Sequence, residues 1–270
     1  MIERADTLHA QGLDGPRRRD RLRFGHVVYR NFLVWRKLLV PSLLGNLADP
    51  LIWLVGLGFG LGSLLPSIGN LTYLEFLGSG MLCYAVMYSA SFEALYSAFS
   101  RLKIQRTWEG ILLAPMTVAD VVLGEWVWAA AKSTLSGAAI LFVMSLLGLV
   151  QSAAALAMLP VAFVLGLAFA GVALVITALA DSYDFFVYYF TLVITPMMLV
   201  SGVFFPSEQL PPIVQSIAQA LPLVHATALS RGLTVGAPLD NVLLHLAVIA
   251  AYGGASVLLA IRLVRKRLAR

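Results

Sequence analysis

Apolar positions in this chain gather into long runs instead of alternating. Six runs, at 43–65, 73–100, 118–150, 152–180, 185–205 and 241–261, approach or exceed the roughly 20 residues that a membrane-spanning helix needs. From residue 133 to residue 180 no charged side chain occurs, which is 48 residues. That is too long for one span and suits two joined by a tight turn near Gln151. The pattern predicts an all-α membrane protein with six transmembrane helices. Residues 21–39 carry a different rhythm. Phe24, Val27, Val28, Trp35, Leu38 and Leu39 recur at helical spacing, with Arg21, Arg23, Arg30, Arg36 and Lys37 between them. This predicts an N-terminal amphipathic helix lying in the membrane interface. Residues 206–236 are uncharged from Gln209 to Ser230, yet Pro206, Pro211, Pro212 and Pro222 interrupt them. Short helices starting behind those prolines, dipping back into the outer leaflet as a re-entrant hairpin before the sixth span, fit the pattern.

Charge adds sidedness. Of nineteen Lys and Arg residues, seventeen lie in three patches: before residue 43, at Arg101, Lys103 and Arg106, and from Arg262 onward. Cations are retained on the cytoplasmic side, so both termini are expected there. Residues 1–20 read as a flexible tail and residues 21–270 as one transmembrane domain. The net charge of +5 sits beside apolar runs and marks lipid headgroups, not nucleic acid. With 60% hydrophobic and 12% charged residues, the chain is built to meet lipid. Its one cysteine, Cys83, excludes an intrachain disulfide. His9, His26 and His245 are scattered, so no metal site is expected. The first 40 residues contain no apolar signal core, and the first span is expected to act as its own insertion signal.

Three groups of side chains suggest chemistry. The loop 101–117 mixes charge with apolar residues, and Arg106, Trp108, Glu109, Ile111 and Leu112 are its candidates for docking a cytoplasmic protein. The alternative is a helix resting on headgroups. Pro115 ends it, and Thr117 and Asp120 can cap the next helix. In span two, Tyr84, Tyr88, Phe92 and Tyr96 repeat every four residues and form a ladder about 18 Å tall. Such a face can line a substrate path or simply pack; Tyr188 and Tyr189 in span five are weaker companions. Glu93, Glu125 and Lys132 are charges inside spans, where each must face protein or water. Glu125 and Lys132 share a face two turns apart, and the sequence names no counter-charge for Glu93. Gly56, Gly58, Gly60 and Gly62 suggest close helix packing on span one. Asp49-Pro50 suggests a kink near its start, and Asp181 and Asp184 suggest a turn.

The strings Arg106-Thr-Trp-Glu-Gly-Ile-Leu-Leu-Ala-Pro-Met, Ser201-Gly-Val-Phe-Phe-Pro, Leu210-Pro, Ala220-Leu-Pro-Leu-Val-His225-Ala and Arg231-Gly occur in this order. With the element order, they resemble the type-2 class of ABC-transporter permeases over nearly the whole chain. Within that class the chain is similar to nodulation-factor export permeases, which move lipo-chitooligosaccharides. The resemblance implies a homodimer in the bacterial inner membrane above two cytoplasmic ATP-binding subunits, with ATP and Mg held by those partners. It implies Arg106, Trp108, Glu109, Ile111 and Leu112 at the ATPase and Phe205, Pro206, His225 and Arg231 at an outer gate, the alternative for His225 and Arg231 being to hold the hairpin's fold. The chain has no Gly-x-x-x-x-Gly-Lys-Ser/Thr phosphate loop, so the transport subunit is expected to be no enzyme by itself. Efflux of a drug or hydrophobic metabolite, or ion-coupled secondary transport, are the alternatives. The second lacks the internal repeat such folds show.

Overall fold

The computed structural model describes residues 23–65 and 67–269. The expected flexible tail and Arg21 lie outside the described residues. Helix α1 spans Phe24–Trp35, and a 3-10 turn at Arg36–Leu38 separates it from α2, Leu39–Gly60. The interfacial helix therefore stops at Trp35, short of residue 39, and the first long helix starts before residue 43. Pro50 sits inside α2. A two-residue hairpin, β1 Ser67–Ile68 and β2 Leu71–Thr72, is a small departure from a chain that is otherwise helical, as an all-α membrane protein is expected to be.

Helix α3, Tyr73–Phe92, opens on a capping box in which Thr72 and Glu75 satisfy each other's backbone amides. It does not end at residue 100. Two π turns, Glu93–Ser97 and Ser100–Ile104, carry the helix on to Ile104. Arg106 takes a left-handed conformation, φ 50°, and turns the chain into α4, Thr107–Leu112. Helix α5, Val118–Leu146, begins on a second capping box, Thr117 with Asp120, as their spacing predicts. Helix α6, Met158–Leu179, follows a 3-10 turn at Ala153–Ala157. The fifth run divides into α7, Asp184–Tyr189, a π turn at Phe190–Ile194 and α8, Thr195–Val200. It ends before residue 205 because Gly202, φ 70°, reverses the chain. Helices α9, Pro212–Ala218, and α10, Pro222–Val235, start on their prolines and meet at 85°. Helix α11, Val242–Leu268, continues a further two turns beyond the last apolar run.

Among the described residues, 118–146, 153–179 and 242–268 are each long and apolar enough to cross a membrane. Helix α3 is not, and its place explains why. Nearly every residue from Tyr73 to Ser91 is buried, packed by α2, α5, α6 and α10. A helix walled by protein can carry serines, glycines and tyrosines that a lipid-facing helix cannot. Gly80 makes one such contact: a Cβ there would come within 2.9 Å of the Val203 backbone. The glycine run of α2 is less uniform than its spacing suggests. Only Gly58 is tightly approached, by Leu74, while Gly56 and Gly60 have open space around them. Helices α6 and α11 form the most extensive helix pair. At its end Arg267 donates to the carbonyls of Thr177, Ala178 and Ala180 and so caps α6.

Candidate functional site

The three charges expected inside spans converge where α1, α4, α5 and the π-turn extension of α3 meet. Lys132 Nζ lies 2.8 Å from Glu93 Oε2. Arg101 Nη2 lies 2.9 Å from Glu93 Oε1 and 2.6 Å from Glu125 Oε2, and Arg101 Nε donates to Glu125 Oε1 at 2.9 Å. Two anions thus balance two cations. The neutral donors complete the set. Trp128 Nε1 and Ser97 Oγ donate to Glu93 at 3.0 and 2.9 Å. Trp108 Nε1 and Asn31 Nδ2 each donate to Glu125 at 3.1 Å. Each of the four carboxylate oxygens therefore receives two hydrogen bonds. Such completeness is what makes buried charge tolerable, since a half-satisfied network costs more than an apolar core. The rings of Trp35 and Phe32 cover Trp128 edge-on. Arg30 on α1 borders the cluster through Asn31 Oδ1 at 3.1 Å. Burial lowers its pKa from the ordinary guanidinium value; Arg101 adds to that and Glu125 opposes it.

These contacts fill what the sequence left open and revise two expectations, for Arg101 and Trp108. Glu93 has counter-charges, Lys132 and Arg101. Glu125 and Lys132 are not directly paired; Arg101 and Glu93 stand between them. Arg101 is no loop residue, because the helix carries it inward. A π turn winds wider than an α turn and often marks functional positions; here it keeps Glu93, Ser97 and Arg101 over one face. Trp108 is fully buried, 0% exposed, whereas the loop's composition suggested an exposed anchor. Ile111 and Leu112 are partly buried against the core. The exposed edge consists of Arg106, Glu109, Gly110 and Leu113, the last 90% exposed.

The aromatic ladder forms as spaced. Ring centroids of Tyr84 and Tyr88 are 5.8 Å apart, Tyr88 and Phe92 6.3 Å, and Phe92 and Tyr96 4.7 Å. Phe190 joins Tyr88 at 5.3 Å from its π turn, and Tyr183 and Phe186 flank Tyr96. The Tyr84 end is closed, because its hydroxyl donates to Asp49 Oδ2 at 2.8 Å. Tyr188 stands apart, 62% exposed and beside Phe185, whereas Tyr189 is buried with its hydroxyl 3.3 Å from Ser91 Oγ.

The residues expected at an outer gate divide into three settings. Phe205 and Pro206 line a mainly apolar cavity of about 590 Å³ with Leu57, Leu61, Ile68 and Tyr73. Arg231 lies 3.8 Å over the Phe76 ring and donates to the Gly202 carbonyl. His225 is buried, its Nδ1 2.7 Å from His245 Nδ1 and its Nε2 2.9 Å from the Gln219 carbonyl. His245 is therefore not scattered, although no cluster of three or more His, Cys, Asp or Glu fit for a metal exists among the described residues.

Residues 23–234 match the ABC-2 type transporter family. The chain belongs to that family. Among curated ABC-2 relatives it is 46% identical over 241 residues to Nodulation protein J of Rhizobium leguminosarum bv. viciae, covering 89% of this chain and 93% of the relative. It is 44% identical over 239 residues to Nodulation protein J of Rhizobium meliloti strain 1021, covering 88% and 91%. It is 25% identical over 210 residues to the Inner membrane transport permease YadH of Escherichia coli strain K12, covering 73% and 75%. The chain is an ABC-2 permease of the nodulation protein J branch and a multi-pass protein of the bacterial inner membrane. ABC-2 permeases are the membrane component of a transporter, not catalytic alone, and generally work with an ATP-binding subunit.

Sequence reasoning missed Arg101, Asn31, Ser97 and Trp128 as members of the site. One signal was available: a tryptophan in an apolar setting needs an acceptor for its indole N–H, and Glu93 and Glu125 needed donors.

Proposed function

We propose that this chain is the membrane half of an ATP-driven exporter that moves an amphipathic glycolipid, such as a lipo-oligosaccharide, outward across the inner membrane. Two copies form a homodimer above two cytoplasmic ATP-binding subunits, and those subunits hold ATP and Mg. Six spans run through α2, α3 with its extension, α5, α6, α7–α8 and α11. Both termini and α4 face the cytoplasm, and α9–α10 form the re-entrant pair outside.

The observation that carries this reading is the two-sidedness of α4. Its inner face is fastened through Trp108, while Arg106, Glu109 and Leu113 are offered to solvent. Charge beside an exposed leucine suits a protein partner, and Leu113, not Trp108, supplies the apolar contact. The ladder from Tyr88 to Tyr96 gives sugar rings and acyl chains an aromatic face. Co-purification tests the partner: Leu113→Asp with Glu109→Arg abolishes recovery of the ATP-binding subunit while the chain still inserts. Full recovery would remove α4 as the docking element. Cells lacking the gene should retain an amphipathic glycolipid that wild-type cells release; an unchanged lipid profile would sink the substrate assignment.

A further inference from the structure

We infer that Glu125 is a positioning residue for transport: it joins α4 to α1 and α5, so that these elements move as one body. The transport part of this inference rests on α4 being the docking element; the joint itself does not. The inward polar contact of α4 is the Trp108 indole on Glu125 Oε1, 3.1 Å. The other oxygen of the same carboxylate accepts from Asn31 of α1, 3.1 Å, and from Arg101, 2.6 Å. One carboxylate on α5 thus receives donors from three other elements. Arg101 then passes the connection to Glu93, and through Glu93 to Lys132, one helical stretch further along α5.

Packing reinforces the join. Helix α1 lies so close to α5 that a Cβ on Gly124 would come within 2.4 Å of Val27 Cβ. Arg23, just before α1, donates to the Pro115 carbonyl just after α4. Polar bonds and one close backbone approach thus run from α4 through α5 to α1. A helix at the membrane surface becomes part of the moving unit and not merely an anchor.

The test uses paired spin labels in the full chain in nanodiscs, in a Cys83→Ser background. Labels at Ala114→Cys, exposed just after α4 and outside its proposed docking edge, and Tyr29→Cys on α1, which is 62% exposed, report the α4–α1 distance. One narrow population is expected in the otherwise wild-type chain. In Glu125→Gln that population broadens. Trp108→Phe, which keeps the ring and removes only the indole donor, broadens it as well and guards against misfolding of the first variant. A broad distribution in the wild type, or a narrow one retained in Trp108→Phe, would overturn the joint. Adding the ATP-binding subunit and ATP extends the test. The α4–α1 distance should stay constant while a distance from α4 to α11 shifts, and Trp108→Phe should hydrolyse ATP yet lose that constancy. If the wild-type chain does not bind the ATP-binding subunit, the docking reading fails, and the nanodisc distances still decide the joint.

Discussion

The two ends of α3 are fastened by opposite means. At the end that continues toward α4, ions hold the helices, and each of the four carboxylate oxygens accepts two hydrogen bonds. At the end that meets α10 and the turn at residues 201–205, shape does most of the holding. There the links are Gly80 against Val203, Ser230 Oγ donating to the Ser79 carbonyl at 2.8 Å, and Arg231 over Phe76. Among the described residues, the buried side-chain atoms without a hydrogen-bond partner are Ser201 Oγ and Arg231 Nε, both at this second end. A fully satisfied ionic joint admits one arrangement. An end with orphaned donors and broken helices has more than one way to improve its bonding. The contrast suits a molecule that receives motion rigidly at one end and rearranges at the other.

The sharpest way to break the comparison is to unbalance the ionic end. Glu125→Leu leaves a buried guanidinium short of a partner, and the expected cost is about 3–5 kcal/mol. Adding Arg101→Met restores the charge balance and recovers part of it, because Glu93 keeps Lys132 while Trp108 and Asn31 still lack their acceptor. Thermal unfolding in detergent reads both variants; a double variant worse than the single would show that charge balance is not what holds this end. At the opposite end, Arg231→Met removes one charged donor and one cation over a ring, for about 2 kcal/mol. A loss as large as that of Glu125→Leu would erase the contrast between the ends. The smallest effect belongs to the ladder between them. Tyr88→Leu forfeits ring contacts worth about 1 kcal/mol, so stability barely falls while export of the proposed glycolipid substrate drops. Equal export would return the ladder to simple packing.

Much of this was legible in residue order. Apolar runs located the long helices, Thr117 and Asp120 marked the start of α5, and four-residue spacing placed Tyr84, Tyr88, Phe92 and Tyr96 on one face. What escaped was set by partners far along the chain. Arg101 looks like a topology signal because it stands at the end of an apolar run; only the π turns, which have no compositional mark, carry it inward. Trp108 looks exposed among charges, since its acceptor lies on the next helix. His225 and His245 are twenty residues apart and meet because Gly236, φ 72°, ends α10 and sends the chain back as α11.

The last turns of α11 carry one more lesson. Hydropathy ceases at residue 261, yet Arg267 reaches across to three carbonyls at the foot of α6. The greasy part of a helix and the useful part of it are therefore different lengths. A cation that would be counted toward orientation is also a clasp, and charge reversal there would unfasten a neighbour as well as alter a topology signal.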